Sequence, residues 1–442
     1  MATTQIAPGH FGNLSAEQEK KLREFWGAVA GVSGWSESGT ATQNATKQAA
    51  APEPEPQQSG GGWGFSMFRK NENADSSGQP ATDEDKFGLN KQYSDILAEQ
   101  STETIRESIW EMTKHDHPDV LALRFLRARK WNVQQALVMF VTAVNWRKNE
   151  MGVDADIMKN GEAGALHDEL NGSGEVKQVG ADFLAQLRMG KSFLHGADKE
   201  GRPICVVRVR LHHGGEQSAK SIEKYTVHVI ETARLLLSPP IETATIIFDM
   251  TGFTLSNMDY APVKFMIKCF EANYPESLGA VLIQNSPWLF QGIWRIIKPW
   301  LDPVVAAKVH FTNGRSGLEE FIEASHIPKE LDGDEDWEYK YIEPVANENI
   351  AMQDTVARNR VLEERSALVK EFEEATKAWL REGNGDSGVQ ARETRDSIAT
   401  QMKENYWKLD PYIRARSLYD RQGVIGTNGA INFYPGTVAT EK

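Results

Sequence analysis

Along residues 14–30, Leu22, Phe25, Trp26 and Val29 recur at three- and four-residue steps, which puts them on one face of a helix. Ser15 and Gln18 stand at its start with the spacing of a capping box. Such a face predicts a helix docked on a folded body; a helix lying on a membrane is the alternative. The pattern then lapses. Residues 31–86 are dominated by Gly, Ser, Pro, Gln and Ala, the composition of a flexible linker. Within it, GGGWGFSMFRK sets Trp63, Phe65, Met67 and Phe68 beside Arg69 and Lys70, a mixture that suits a membrane interface as well as docking on the body.

Helical spacing returns from about 92 to 150. Pro118 takes a first-turn position, and Val120, Leu123, Phe125 and Leu126 form an apolar stripe behind it. Asn132 caps the next helix, where Ala136, Leu137, Phe140, Val141 and Val144 repeat. From about 185 to 340 the pattern becomes mixed. GRPICVVRVRL predicts a strand with Cys205, Val207, Val209 and Leu211 on one face and Arg208 and Arg210 on the other. ETATIIFDMTG predicts a second strand ending at Asp249, and VHFTN a fourth. The third, GAVLIQNSP, is apolar without alternation, as a strand covered on both sides should be. Helical segments separate them, so the expectation is an α/β layer on a largely parallel sheet. Farther on, Val361, Leu368, Phe372, Ala375 and Trp379 mark the buried side of a long helix. GNGDSG breaks it and a second helix runs to about Trp407, a hairpin expected to pack on the α/β domain. The resulting division is 1–91 (helix and linker), 92–152 (helical subdomain), 153–343 (α/β domain) and 344–442 (helical extension).

Charge narrows the partners. With 62 acidic against 49 basic residues the net charge is -13, which argues against nucleic acid and leaves contact with anionic membranes to a local basic patch. The two cysteines, Cys205 and Cys269, sit in apolar stretches and are expected as reduced, buried thiols of a cytoplasmic protein. No apolar run reaches the roughly 18 residues of a membrane span, so the chain is expected to be soluble and to visit intracellular membranes peripherally. GxSxG, P-loop and HExxH patterns are absent, and adjacent His212 and His213 on a strand would diverge. The expectation is no enzyme, no cofactor and no metal.

Three features carry other chemistry. After Ser286 and Pro287 comes a segment apolar nearly all round: Trp288, Leu289, Phe290, Ile293, Trp294, Ile296, Ile297 and Trp300. It is either a core helix or a gate over an apolar cavity. Asp302 and Pro303 then cap a short helix carrying Lys308. The run Arg124, Arg127, Arg129 and Lys130 closes a helix, as a solvated face or an anion site. Glu276, after Tyr274 and Pro275, is placed to accept hydrogen bonds from a polyol or to face solvent.

LRFLRARKW, a helix ending NWRK, then DKEGRP, FDMTG, NYPESLG and KPWLDPVVAAKV together resemble the CRAL-TRIO lipid-binding proteins, most closely the fungal phosphatidylinositol transfer branch, over about 95–340. The C-terminal helical region resembles a subgroup of that branch. The resemblance implies a largely parallel sheet, a helical gate (Trp288, Leu289, Phe290, Ile293, Trp294, Ile297 and Trp300), a preceding helical subdomain and one buried phospholipid. It implies that Arg129, Glu276 and Lys308 hold the phosphatidylinositol headgroup. Arg and Lys would balance the phosphodiester and Glu would read inositol hydroxyls. Val305 stands where the family often has Thr, a lost hydroxyl contact worth about 0.5–1.5 kcal/mol. Asp332 likewise replaces the first of the family's two usual glycines, and Gly333 keeps the second.

Members that also carry phosphatidylcholine use two Tyr, a Ser and a Thr at positions that here are Leu194, Cys205, Ala244 and Ile246. With Val207 and Phe248 these form an apolar lining that offers choline phosphate neither hydroxyls nor cation–π faces. The second ligand is therefore expected to be a sterol or an isoprenoid hydrocarbon. Expected partners are transiently visited phospholipid membranes, the lipid itself, and lipid kinases or trafficking proteins. The competing reading is a lipid-sensing scaffold without bulk transfer.

Overall fold

The first helix, α1 (Ala16–Val32), starts at its capping box: Ser15 Oγ accepts the Gln18 N–H and the Gln18 side chain accepts the Ser15 N–H. The computed structural model describes residues 6–36, 85–383 and 385–434. Leu22, Phe25, Trp26 and Val29 are buried, so α1 is docked on the body and does not lie on a membrane by that face. The folded part also reaches into the stretch read as linker, where Trp35 is buried. The aromatic cluster at 63–70 lies outside the described residues.

Four helices follow: α2 (Leu89–Glu99), α3 (Thr102–Thr113), α4 (Pro118–Ala128) and α5 (Val133–Asn145). Pro118 opens α4, and the Asn132 side chain caps α5 by accepting the Gln135 N–H. Their stripes meet α1 in one core, with the Phe140 ring 5.6 Å from Phe25 and 4.9 Å from Phe125. Two π-type turns then lead to α6 (Lys159–Asn171) and α7 (Gly174–Arg188).

The sheet is built from β1 (Ser192–Ala197), β2 (Pro203–Arg208), β3 (Ala244–Asp249), β4 (Leu278–Gln284) and β5 (Val309–Thr312), side by side in chain order. β1 is antiparallel to β2 and the other pairings are parallel. The crossovers carry α8 (Ala219–Leu235), α9 (Tyr260–Lys268), α10 (Phe290–Ile297) and α11 (Pro303–Ala307). Right-handed crossovers between strands in sequential order put these helices on one face. Cys205, Val207, Ile246, Phe248, Val281 and Ile283 turn toward that face. Ile204, Val206, Ile247, Ala280 and Leu282 turn the other way, onto Leu318 of α12 (Gly314–Glu319), Ile322, Ile327 and Leu331. The loop after them keeps its second glycine for a steric reason: a Cβ on Gly333 would sit 1.9 Å from the Ile327 carbonyl oxygen. Asp332 takes the left-handed conformation before it.

Two strand expectations change. β2 stops at Arg208, and Val209–Leu211 form a 3-10 turn. Its partner β3 ends at Asp249, whose carboxylate receives Arg210. His212 and His213 therefore follow that turn and are not strand neighbours. β1, not anticipated as a strand, forms the antiparallel edge.

The C-terminal hairpin consists of α13 (Thr355–Glu382) and α14 (Asp386–Ile413), followed by α15 (Leu418–Arg421). The sequence predicts it on the α/β domain; it packs chiefly on the helical subdomain. Phe372 lies 5.8 Å from the Trp26 ring and 5.6 Å from Trp110. Arg395, fully buried, makes a bidentate pair with Asp119 of α4 at 2.5 and 2.9 Å. Only the end of the extension reaches the sheet, where the Tyr419 hydroxyl accepts the Leu194 N–H at 2.7 Å. Among the described residues no helix is long and apolar enough to cross a membrane.

Candidate functional site

Between the sheet and its helical roof lies a cavity with about 1390 Å³ of empty volume, its mouth included. Val207, Ile246 and Phe248 form its floor, as the strand alternation requires. Cys205 and Ala244 line a smaller adjoining cavity together with Ile246. Leu194 lines neither: it belongs to the same cluster, but its strand is engaged by Tyr419. Burial pushes the Cys205 thiol up to about 12, and Cys269 likewise, so both are neutral, inert thiols.

α10 closes the cavity. Phe290, Trp294 and Ile297 line it, while Ile293 is buried beside them. The other side is open: Ile296 is 48% exposed, and Trp288, in the turn that leads into the helix, is 87% exposed. Leu289 is half-buried, and Trp300 packs edge-on against Tyr260 at 5.5 Å. A core helix would hide both sides, so α10 is a one-sided cover.

Beside the cavity is a polar pocket, and it brings Arg129, Glu276 and Lys308 together although they are far apart in sequence. Arg129 caps α4, and its guanidinium has no hydrogen bond or ion pair among the described residues. Burial lowers its pKa, against the pull of Asp302, Glu271 and Asp85. Glu276 sits at φ 54°, a left-handed conformation uncommon outside glycine, and its carbonyl receives the buried Arg124. The Glu276 carboxylate lies 3.8 Å from the Lys308 ammonium, a loose pair with both side chains 23% exposed. Arg127 is spent elsewhere, on Glu242 at 2.8 Å and on the Gly9 carbonyl, and Lys130 lines the pocket.

The pocket also contains residues that belong to no motif. Glu271 accepts Lys86 Nζ and the Asp302 N–H, each at 2.6 Å, and Lys86 also donates to the Trp300 carbonyl. Lys86 falls in the stretch whose composition predicts a linker, and nothing in its surroundings marks it. Val305 lines both the cavity and the pocket, together with Phe270, Glu271, Leu278 and Leu301. The two spaces are therefore contiguous.

A separate group, His117, Asp119 and Asp396, brings ligand-type atoms within 4.8 Å of one another. Its atoms already have partners. Asp119 is held by Arg395 and by Trp26 Nε1, and His117 Nδ1 accepts the Asp119 N–H.

Fold and site together define an α/β protein whose sheet and one-sided helical cover enclose an apolar cavity that shares a wall with a charged pocket. Residues 187–333 match the CRAL/TRIO domain and residues 91–142 the CRAL/TRIO N-terminal domain. A CRAL-TRIO domain-containing protein of Schizosaccharomyces pombe is 48% identical over 330 residues, covering 75% of this chain and 71% of that protein. The phosphatidylinositol transfer protein CSR1 of Eremothecium gossypii is 38% identical over 449 residues, covering 96% and 99%. The Sec14 cytosolic factor of Schizosaccharomyces pombe is 31% identical over 236 residues, covering 49% and 74%. The chain belongs to the CRAL-TRIO family.

Proposed function

We propose that this protein binds and transfers phosphatidylinositol, taking one molecule out of a cytoplasmic membrane leaflet and releasing or presenting it at another. The observation that carries the reading is the contiguity at Val305: an apolar cavity and a charged pocket share a wall, the shape an amphiphile needs. The names of the relatives point the same way.

In this reading acyl chains lie over Val207, Ile246 and Phe248. Arg129 donates to the phosphodiester, which gives its unpaired guanidinium a partner. Lys308 turns from Glu276 to the same phosphate, and the freed carboxylate accepts inositol hydroxyls. Exchange requires α10 to move. Its exposed Ile296, with Trp288 in the turn before it, meets the membrane as Phe290, Trp294 and Ile297 release the chains. Presentation to lipid kinases follows if the loaded pocket faces the cytoplasm.

The second ligand is an apolar-bodied molecule, a sterol or an isoprenoid hydrocarbon, in preference to phosphatidylcholine. Cys205, Ala244 and Ile246 give a choline phosphate nothing to bond to. Radiolabelled phosphatidylinositol should move from donor to acceptor liposomes in the presence of the purified chain, and mass spectrometry of its extracted lipid should find little phosphatidylcholine. No transfer leaves a lipid-sensing scaffold as the reading, and phosphatidylcholine as the dominant lipid overturns the argument from the lining.

A further inference from the structure

The apolar cavity has a second polar end. Glu276 and Lys308 precede β4 and β5, so the inositol pocket lies at the start of the parallel strands. Lys191 and His212 border the cavity at the opposite end, where the Arg208 N–H at the close of β2 donates to the Lys191 carbonyl at 2.8 Å. The 7 residues of β4 put the two ends about 20 Å apart at ~3.3 Å per residue.

Lys191 is only 6% exposed. Its ammonium donates to Gln217 Oε1 at 2.6 Å and lies 3.4 Å from His212 Nδ1. His212 Nε2 lies 3.5 Å from an Asp259 carboxylate oxygen, and with the ring proton on Nε2 the Nδ1 atom accepts from the Lys191 ammonium. Two of the three ammonium hydrogens are thereby used, and the third has no acceptor among the described residues. Among the described residues no carboxylate lies within ion-pair distance of Lys191. Asp182 is occupied by Gln178 and the Ser218 N–H, and Glu216 acts only at longer range. Burial accordingly draws the Lys191 pKa down to about 8. The contrast is Lys114, equally buried but paired with Glu231 and Asp154 at 2.7 and 3.0 Å. A buried cation without a counter-charge is costly, and an anionic ligand atom offsets that cost. One ammonium balances one charge, which suits a carboxylate better than a phosphomonoester, and with two of its hydrogens already engaged it leaves a single donor for the ligand.

We propose that this end of the cavity is a second head site, in which Lys191, positioned by Gln217 and His212, binds the carboxylate of a long-chain acid whose chain lies along the cavity floor. The proposal rests on the reading of the cavity as a lipid site but not on the inositol pocket.

The test is fluorescence titration of the delipidated full chain with cis-parinaric acid and with its methyl ester, which has the same chain and no charge. The acid should bind at least about tenfold more tightly than the ester. Lys191→Met should erase that preference, and Lys308→Ala, which disables the inositol pocket, should keep it. Equal affinity of the wild-type chain for acid and ester overturns the proposal whether or not any variant folds, and so does a preference that survives in Lys191→Met. A preserved acid preference in a protein that moves no phosphatidylinositol would remove the inositol reading and leave this one standing.

Discussion

Arg129→Met separates a ligand contact from a structural one. Lys308 is a poorer probe, because its loss also frees Glu276, 3.8 Å away, and mixes two effects. Arg129 has no partner to orphan among the described residues, and its charge is held in a pocket that burial makes unfavourable for it. Methionine keeps the aliphatic stem and its packing. Folding stability should therefore stay within about 0.5 kcal/mol of wild type, or rise. A hydrogen bond to a charged phosphate contributes about 1.5–3 kcal/mol, and at about 1.4 kcal/mol per tenfold phosphatidylinositol affinity should fall roughly 10- to 150-fold. Urea denaturation of the delipidated chain gives the first quantity. Phosphatidylinositol transfer between liposomes at limiting protein gives the second. Transfer within twofold of wild type would show that the guanidinium does not meet the lipid. A stability loss above about 1 kcal/mol would show that it serves the fold.

Trp288→Asp should reduce co-sedimentation with anionic liposomes about tenfold or more, since burial of a large apolar side chain supplies roughly 1.5–3 kcal/mol; unchanged sedimentation would take α10 out of membrane contact. Arg395→Met should cost about 3–5 kcal/mol in urea denaturation because it strands the Asp119 carboxylate in the core, whereas Arg395→Met with Asp119→Leu should recover much of that. His115 is buried beside Tyr406 and Trp407, and burial lowers its pKa to about 4. The unfolded chain takes up the proton near pH 6.5 and the folded chain does not. Stability should thus be full above about pH 6.5 and fall toward pH 4 by up to ~1.4 kcal/mol per unit. His115→Phe should flatten the slope in that window, and an identical slope would assign it to other groups.

Where periodicity and local chemistry agree, the chain could be read directly. Ser15 with Gln18, Pro118 and Asn132 place helix starts because each satisfies an end N–H or does without one. The unalternating apolar run of β4 marks a strand covered on both faces, and it has cores on both. Other features depend on tertiary partners. SFLHGA is too short and too mixed to mark β1, which exists because β2 offers it an edge. Val209 and Leu211 continue the alternation of β2 past its end, since the limit is set by β3. Arg129, Glu276 and Lys308 could be named from separate motifs, but their meeting in one pocket could not. Lys191 gives no local signal at all, because what singles it out is that no carboxylate among the described residues comes within ion-pair distance of it.

Leu194 ties the extension to the cavity. Strand alternation sets it on the floor next to Cys205, its register partner, and a cavity as wide as the sheet would reach it. The Tyr419 hydroxyl instead bonds to its N–H, and Trp407, Leu418 and Tyr419 join the cluster on that side. The extension thus fills the β1 edge beside Leu194 with protein, and the larger cavity runs chiefly over β2, β3 and β4, meeting β1 at Ser192 and β5 at Val309. Its anchor is remote: the buried Arg395–Asp119 pair fixes α14 to α4, the helix that ends at Arg129. One extension therefore both narrows the cavity at β1 and braces the helix that ends at Arg129. Loosening it at Arg395 should widen ligand selection and weaken phosphatidylinositol binding together, although Arg395 touches neither space.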